Sequence, residues 1–280
     1  MAAVVLAFGA AVVWGAGDFM GGVASRRVPA IGVVLVSHFA GLALVVAVIP
    51  LLPEADLEPA DVAWGAAAGL AGGVGVALLY RALADGAMSV VAPVTSLWAA
   101  ALPVLVSVPL GERPSPIAVV GIGVALVAIR LITREPRGLE VAAQGARVRL
   151  LAMGAGASFG VFFLFLDQTS SESGLWPLVG ARTASVALFA VAALVARTSL
   201  AGIRPEATTI VAAGVFDMAA NVLFLLATQR GLVAVVAVVG SLYPASTVLL
   251  ARLVLAERLR RPQVVGVGCA LLAAGLIAAG

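Results

Sequence analysis

The sequence predicts an all-α integral membrane protein, with ten transmembrane helices arranged as an inverted repeat of two five-helix units. Three observations predict it. The composition suits a chain dissolved in lipid, with 62% hydrophobic and 11% charged residues and a mean hydropathy of +1.15. A soluble protein of this size could not cover its surface with so few charges. Ten apolar runs follow one another, each about 20 residues long and able to cross a hydrocarbon core of roughly 30 Å as a helix that satisfies its own backbone. Finally, much of the chain is written twice. Gly111-Glu112-Arg113 and Gly121 return as Ala256-Glu257-Arg258 and Gly266, 145 residues later. The same offset pairs Gly86 with Gly231, Ser96 with Ser241, Gly69 with Gly214 and Gly15 with Gly160, without a gap. Such self-similarity marks a duplicated structural unit. Five crossings is an odd number, so the second copy starts from the opposite face of the membrane. The units read as residues 1–134 and 150–280, joined by an Arg-rich linker over 135–149.

Span 1, about Ala3 to Val23, holds Trp14 and Asp18, which are four residues apart and share a helix face. A carboxylate in an apolar helix is costly and belongs in the bundle interior or a watery cavity, or else near the hydrated end of its span. Span 2, about Ile31 to Leu52, contains the single histidine, His38, a candidate cavity-lining group or a hydrogen-bonded packing residue. Span 3, about Val62 to Ala84, carries Gly65, Gly69, Gly72, Gly73 and Gly75, small residues that let helix backbones approach closely. Arg81 and Asp85 close it as an i,i+4 pair.

Span 4, about Ser89 to Leu110, contains Pro93, Pro103 and Pro109, with Ser96 and Trp98 near its middle. Interior proline removes a backbone donor and bends or loosens a helix. Its offset partner, span 9 (about Leu232 to Arg252), carries Ser241 and Tyr243-Pro244 near its centre. Interrupted helices at corresponding places in two halves point to a substrate site. Trp98 and Tyr243 are offset partners and are expected to line a central cavity together. Glu112 precedes span 5, followed by Pro114 and Pro116, and reads as a carboxylate complementing the start of that helix; Glu257 repeats the role before span 10.

In the second copy, span 6 (about Leu150 to Leu166) has Phe159 and Phe163 where span 1 has Trp14 and Asp18. Span 7, about Leu175 to Val195, contains Arg182. Span 8, about Thr208 to Gln229, contains Asp217 and Asn221 on one helix face. A lone charge at bilayer depth costs at least about 2.5–3.5 kcal/mol, so Arg182 and Asp217 each call for a partner or water, and each is the other's natural candidate.

The chemistry available is narrow. The lone Cys269 rules out an internal disulfide, and neither a second cysteine nor a second histidine supplies a metal site. The chain has no lysine, so its glycine-rich stretches are not phosphate loops, and no cofactor is expected. All 17 basic residues are arginines, mostly between spans, so the pI near 10.0 reflects membrane topology rather than nucleic-acid binding. Alternate connectors on one face, with their flanking helix ends, hold 14 arginines; Arg113 and Arg230 lie on the other. The positive-inside rule puts the Arg-rich face in the cytoplasm and both termini outside.

The acidic-turn repeat, the ten spans and the Trp14-Gly15 start resemble the drug/metabolite transporter superfamily, and more narrowly its EamA-type members built from two five-helix repeats. Ala256 and Phe159 depart from the usual glycine and tryptophan. The resemblance implies a small-molecule carrier in the inner or plasma membrane, an exporter of amino acids or related amphipathic metabolites. Independently, inverted repeats around a central site suit alternating access without ATP chemistry. The expected binding residues are Trp14, Asp18, His38, Ser96, Trp98, Arg182, Asp217, Asn221, Ser241 and Tyr243. The expected partners are a small substrate and the lipid bilayer, the protein acting as a monomer with proton coupling left open. An intramembrane enzyme, a lipid-handling protein and a passive channel are the alternatives. Enzyme chemistry lacks a nucleophile–base set of usable spacing.

Overall fold

The computed structural model describes residues 1–86, 88–132, 144–255 and 261–279, and these are helical with short connectors. The first repeat forms α1 (Ala2–Ser25), α2 (Ala30–Val48), α3 (Pro59–Asp85), α4 (Met88–Ser107) and α5 (Pro116–Ile132). The second forms α6 (Gln144–Asp167), α7 (Trp176–Val195), α8 (Ala207–Thr228), α9 (Val233–Gly240), α10 (Pro244–Leu255) and α11 (Arg261–Ala279). Among the described residues, six helices are long and apolar enough to cross a bilayer. Four shorter apolar segments complete ten crossings: Val94–Ser107, Pro116–Leu131, Val233–Thr247 (the α9–α10 pair) and Val264–Ile277.

Lipid gives helices no hydrophobic reason to associate, so close backbone packing must hold them together. The repeats accordingly meet through small residues. A Cβ on Gly69 of α3 would lie 1.9 Å from the Ala181 carbonyl of α7, and one on Gly65 would lie 2.0 Å from the Pro177 carbonyl. The offset partner of Gly69 repeats the device, since a Cβ on Gly214 of α8 would lie 2.0 Å from the Ser37 carbonyl of α2. The glycines of span 3 are therefore packing residues, as their spacing predicts. Contacts between repeats are reciprocal: α1 packs on α8 as α3 packs on α6, α2 on α8 as α3 on α7, and α5 on α11.

The connectors obey the same symmetry. Asp61, at the start of α3, accepts hydrogen bonds from Ser173 Oγ (2.6 Å) and Ser170 N (3.0 Å) in the α6–α7 connector. Its offset partner Glu206, just before α8, accepts one from Arg27 (2.7 Å) in the α1–α2 connector. Each repeat is thus tied to the other by an acidic side chain at the start of its third span. The Arg81–Asp85 pair forms at 2.9 Å and is exposed.

Three expectations need correction. Span 4 is not interrupted: α4 runs unbroken through Pro93 and Pro103, and Pro109 lies beyond its end. Only span 9 breaks, at Ser241-Leu242-Tyr243. Glu112 does cap a helix, but not the one that follows it. Its carboxylate accepts from Val233 N (2.8 Å) and Ala234 N (3.1 Å), the first turn of α9, and from Ser107 Oγ (2.9 Å). The α5 start is capped by Ser115 Oγ instead, which accepts from Ala118 N at 3.1 Å. The same positive helix end attracts the carboxylate, but that end belongs to the other repeat. Helix α6 also starts at Gln144, earlier than Leu150, so the end of the expected linker is helical. Glu257 and residues 133–143, which include the first part of the linker, lie outside the described residues.

Candidate functional site

The α9–α10 break shapes the centre of the molecule. Pro244 cannot donate a backbone hydrogen bond, and the residue before a proline is pushed out of helical geometry. Hydroxyls just past the turn tie it to α1. Tyr243 O accepts from Ser246 Oγ (2.8 Å) and Thr247 Oγ1 (3.2 Å), and Ser246 also donates to Ala11 O of α1 (3.1 Å). Helix α1 comes so close that a Cβ on Gly15 would lie 2.7 Å from Tyr243 O. The turn delivers the Tyr243 ring to a buried cavity, and its hydroxyl donates to Ala92 O of α4 at 3.4 Å.

Both repeats line that cavity. Its aromatic wall comes from Trp14, Phe159, Phe162, Phe163 and Tyr243; Gly69, Gly72 and Gly73 of α3 make room beside it. A Cβ on Gly72 would lie 3.0 Å from the Phe162 ring. Trp14 packs against Phe163 and Phe224 with centroids 5.7 and 5.3 Å away, and Phe163 stacks on Phe224 at 4.3 Å. These rings span α1, α6 and α8, so the wall belongs to the interface between repeats. Phe162 carries no signal in the sequence, because a phenylalanine in a membrane helix reads as lipid-facing or core alike.

Three ionisable side chains border the cavity. Arg182 of α7 forms an ion pair with Asp217 of α8, and Asn221, one turn on, donates to the Asp217 carbonyl. The pair is largely buried, with side-chain exposures of 9% and 18%. Asp18 of α1 lies within electrostatic reach of Asp217, yet among the described residues its carboxylate makes no hydrogen bond or ion pair. The space open to water is about 50 Å³, enough for a few waters and too little for a metabolite.

Six of the ten residues read from sequence as a site therefore meet here: Trp14, Asp18, Arg182, Asp217, Asn221 and Tyr243. Four do not line the cavity. Trp98 is 37% exposed on α4, because the neighbouring Ala99 occupies the cavity side and one residue turns the helix by about 100°. Ser96 is buried and donates back to Ala92 O at 2.6 Å, as suits a hydroxyl inside an apolar helix. Ser241 is buried at the break, its hydroxyl without a partner among the described residues. His38 stands behind the ion pair: Nδ1 shares a 2.9 Å hydrogen bond with Ser185 Oγ, and Ser185 donates to the Arg182 carbonyl. Arg182 and Asp217 meet as the cost of lone buried charges predicts.

A sequence profile described as the EamA-like transporter family matches residues 1–134 and matches again at 147–279. The chain belongs to the EamA-like transporter family. Membership makes it a multi-pass membrane transporter of small solutes built from two repeats. No curated protein matches. Among solved structures, one titled only as the crystal structure of a protein aligns with a TM-score of 0.78 at 18% identity, covering 98% of this chain and 95% of that one. At that identity the likeness speaks for the fold. An EamA-like fold places the cavity between its two repeats and leaves the cargo to the side chains described above.

Proposed function

We propose that this chain is a secondary carrier that exports small amphipathic metabolites by alternating access, the cavity between its repeats opening to one side of the membrane and then to the other. The observation that carries this reading is the aromatic and charged cavity lined by offset-matched positions of two inverted repeats. Inverted repeats offer two equivalent packings of the same halves, which is what a site exposed in turn to either face requires. The Arg-rich face lies in the cytoplasm of an inner or plasma membrane, with both termini outside. The protein works as a monomer.

Exchange tests the mechanism whatever the cargo is. Proteoliposomes loaded with a bacterial metabolite extract are diluted into buffer, and released compounds are read by mass spectrometry. A carrier releases a restricted set, and release of each accelerates when the same compound is supplied outside. Release equal to that from protein-free vesicles overturns the carrier reading. Selective release that no outside compound accelerates makes the protein a channel. An imposed pH gradient in the same vesicles tests proton coupling. A C-terminal reporter active only in the periplasm tests the orientation, and cytoplasmic fluorescence from a C-terminal fusion reverses it.

A further inference from the structure

The two repeats also enclose space away from the central cavity. Helices α2 and α8 belong to different repeats and meet tightly near their middles. A Cβ on Gly41 would lie 3.3 Å from both the Gly214 carbonyl oxygen and Met218 Cβ. Beyond that crossing an apolar groove of about 440 Å³ opens between them. Leu44, Val45 and Val48 of α2 form one wall, and Met218, Val222 and Leu226 of α8 form the other. From Met218 to Leu226 a helix rises about 12 Å. One leaflet of a hydrocarbon core of roughly 30 Å is about 15 Å deep. The groove therefore runs through most of one leaflet, at the face where arginine is sparse.

The groove does not end at the membrane surface. Leu52, Leu175 and Leu226 line it and also line a vestibule of about 970 Å³, so the two spaces are continuous. The connectors around the vestibule are tied together. Asp56 N donates to the Glu172 carbonyl at 3.0 Å, and Gln229 Nε2 donates to the Ser170 carbonyl at 3.5 Å. Arg230 folds back along α8 and donates from Nη1 to the Leu226 carbonyl at 2.7 Å, which puts its guanidinium at the mouth of the groove. Glu54, Asp56 and Glu172 line the same vestibule from the α2–α3 and α6–α7 connectors, all exposed. Among the described residues none of these four side chains makes an ion pair. Trp176, a residue type favoured at headgroup level, lines the vestibule too.

A long apolar slot that leads past one arginine to three carboxylates has the layout of a molecule the membrane itself supplies. A phospholipid with an ethanolamine headgroup carries acyl chain, phosphate and ammonium in that order. We propose that the α2–α8 groove and its vestibule bind such a lipid, with an acyl chain in the groove, the phosphate on Arg230 and the ammonium among Glu54, Asp56 and Glu172. The groove alone selects nothing, because lipid tails are as apolar as leucine. Choice rests with the headgroup. An anionic phospholipid satisfies the guanidinium but brings no cation to the three carboxylates, which repel it. Choline brings the charge without N–H donors, whereas a primary ammonium offers three. The seated lipid touches both repeats at once, whichever solute the chain carries.

Native mass spectrometry of the full-length protein in mild detergent is the test. Dioleoyl phosphatidylethanolamine, phosphatidylglycerol and phosphatidylcholine are titrated separately. The ethanolamine lipid should bind at least about fivefold more tightly than either of the others. Arg230→Gln should weaken it by about tenfold. The triple variant Glu54→Gln, Asp56→Asn, Glu172→Gln should lose the preference over phosphatidylglycerol. Val222→Phe, which fills the groove, should weaken all three lipids alike. Glycerophosphoethanolamine, the same headgroup without chains, should not displace the lipid. Thermal unfolding without lipid checks that each variant is folded. Equal binding of the three lipids by the wild type, or none, overturns the proposal, as does a preference for phosphatidylglycerol or phosphatidylcholine; none of these needs a variant. Unchanged affinities in the folded Arg230→Gln, triple or Val222→Phe proteins overturn it as well. Full displacement by glycerophosphoethanolamine makes the vestibule a solute site and also overturns it.

Discussion

At the cavity the two repeats can be compared position by position. Trp14 is matched by Phe159, Asp18 by Phe163, Gly72 by Asp217 and Val76 by Asn221, and all eight line the same space. The duplicated frame has kept the places and changed the chemistry. The first repeat supplies an unpaired carboxyl group and small residues, while the second supplies the ion pair, the amide and three phenylalanines. The fourth spans differ in the same way. Helix α4 stays continuous through two prolines, whereas α9–α10 breaks just before one. A proline alone does not break a membrane helix, since α4 carries two without a break.

Substitutions test where this likeness between repeats ends. The largest effect is expected at the ion pair, which only the second repeat has. Arg182→Ala or Asp217→Ala leaves a buried charge unpaired and should each cost about 3 kcal/mol, read as a fall in thermal unfolding temperature in detergent. If the pair is structural alone, the charge-reversed double variant recovers both stability and transport. A folded but inactive double variant assigns the pair a part in the transport cycle.

Next come the helix crossings, where the repeats should behave alike. Gly69→Ala and Gly214→Ala each push a Cβ into a backbone carbonyl, and each should cost about 1–3 kcal/mol. Tolerance of one and not the other would show that the two crossings are not equivalent.

Glu112→Gln removes the charge that the first repeat places on α9 and should destabilise by about 1–2 kcal/mol, measured in the same assay. Equal stability of this variant would remove the capping role.

The smallest difference concerns the matched pair Trp98 and Tyr243. Cysteine at 243 in a Cys269→Ala background should react with a small hydrophilic thiol reagent when the cavity opens, and cargo should protect it. Cysteine at 98, outside the cavity wall, should show no protection.

The sequence by itself determined the solvent, the number of spans, the duplication and its inversion, because each follows from composition, length and periodicity along the chain. It also marked the residues too costly to leave alone in lipid, and Asp18, Arg182 and Asp217 do meet at one cavity. Only the tertiary structure decided which partners they took. Asp217 neutralises Arg182 and leaves Asp18 out of the pair, a choice set by how α7 and α8 pack against α1. Glu112 looked like the cap of its own neighbour because a charge–dipole rule acts on distance in space, and the helix start its carboxylate reaches belongs to the other repeat. Trp98 lies outside the wall for a simpler reason. An offset matches positions along the chain, but α4 stays continuous where α9–α10 turns, so two matched side chains point to different places.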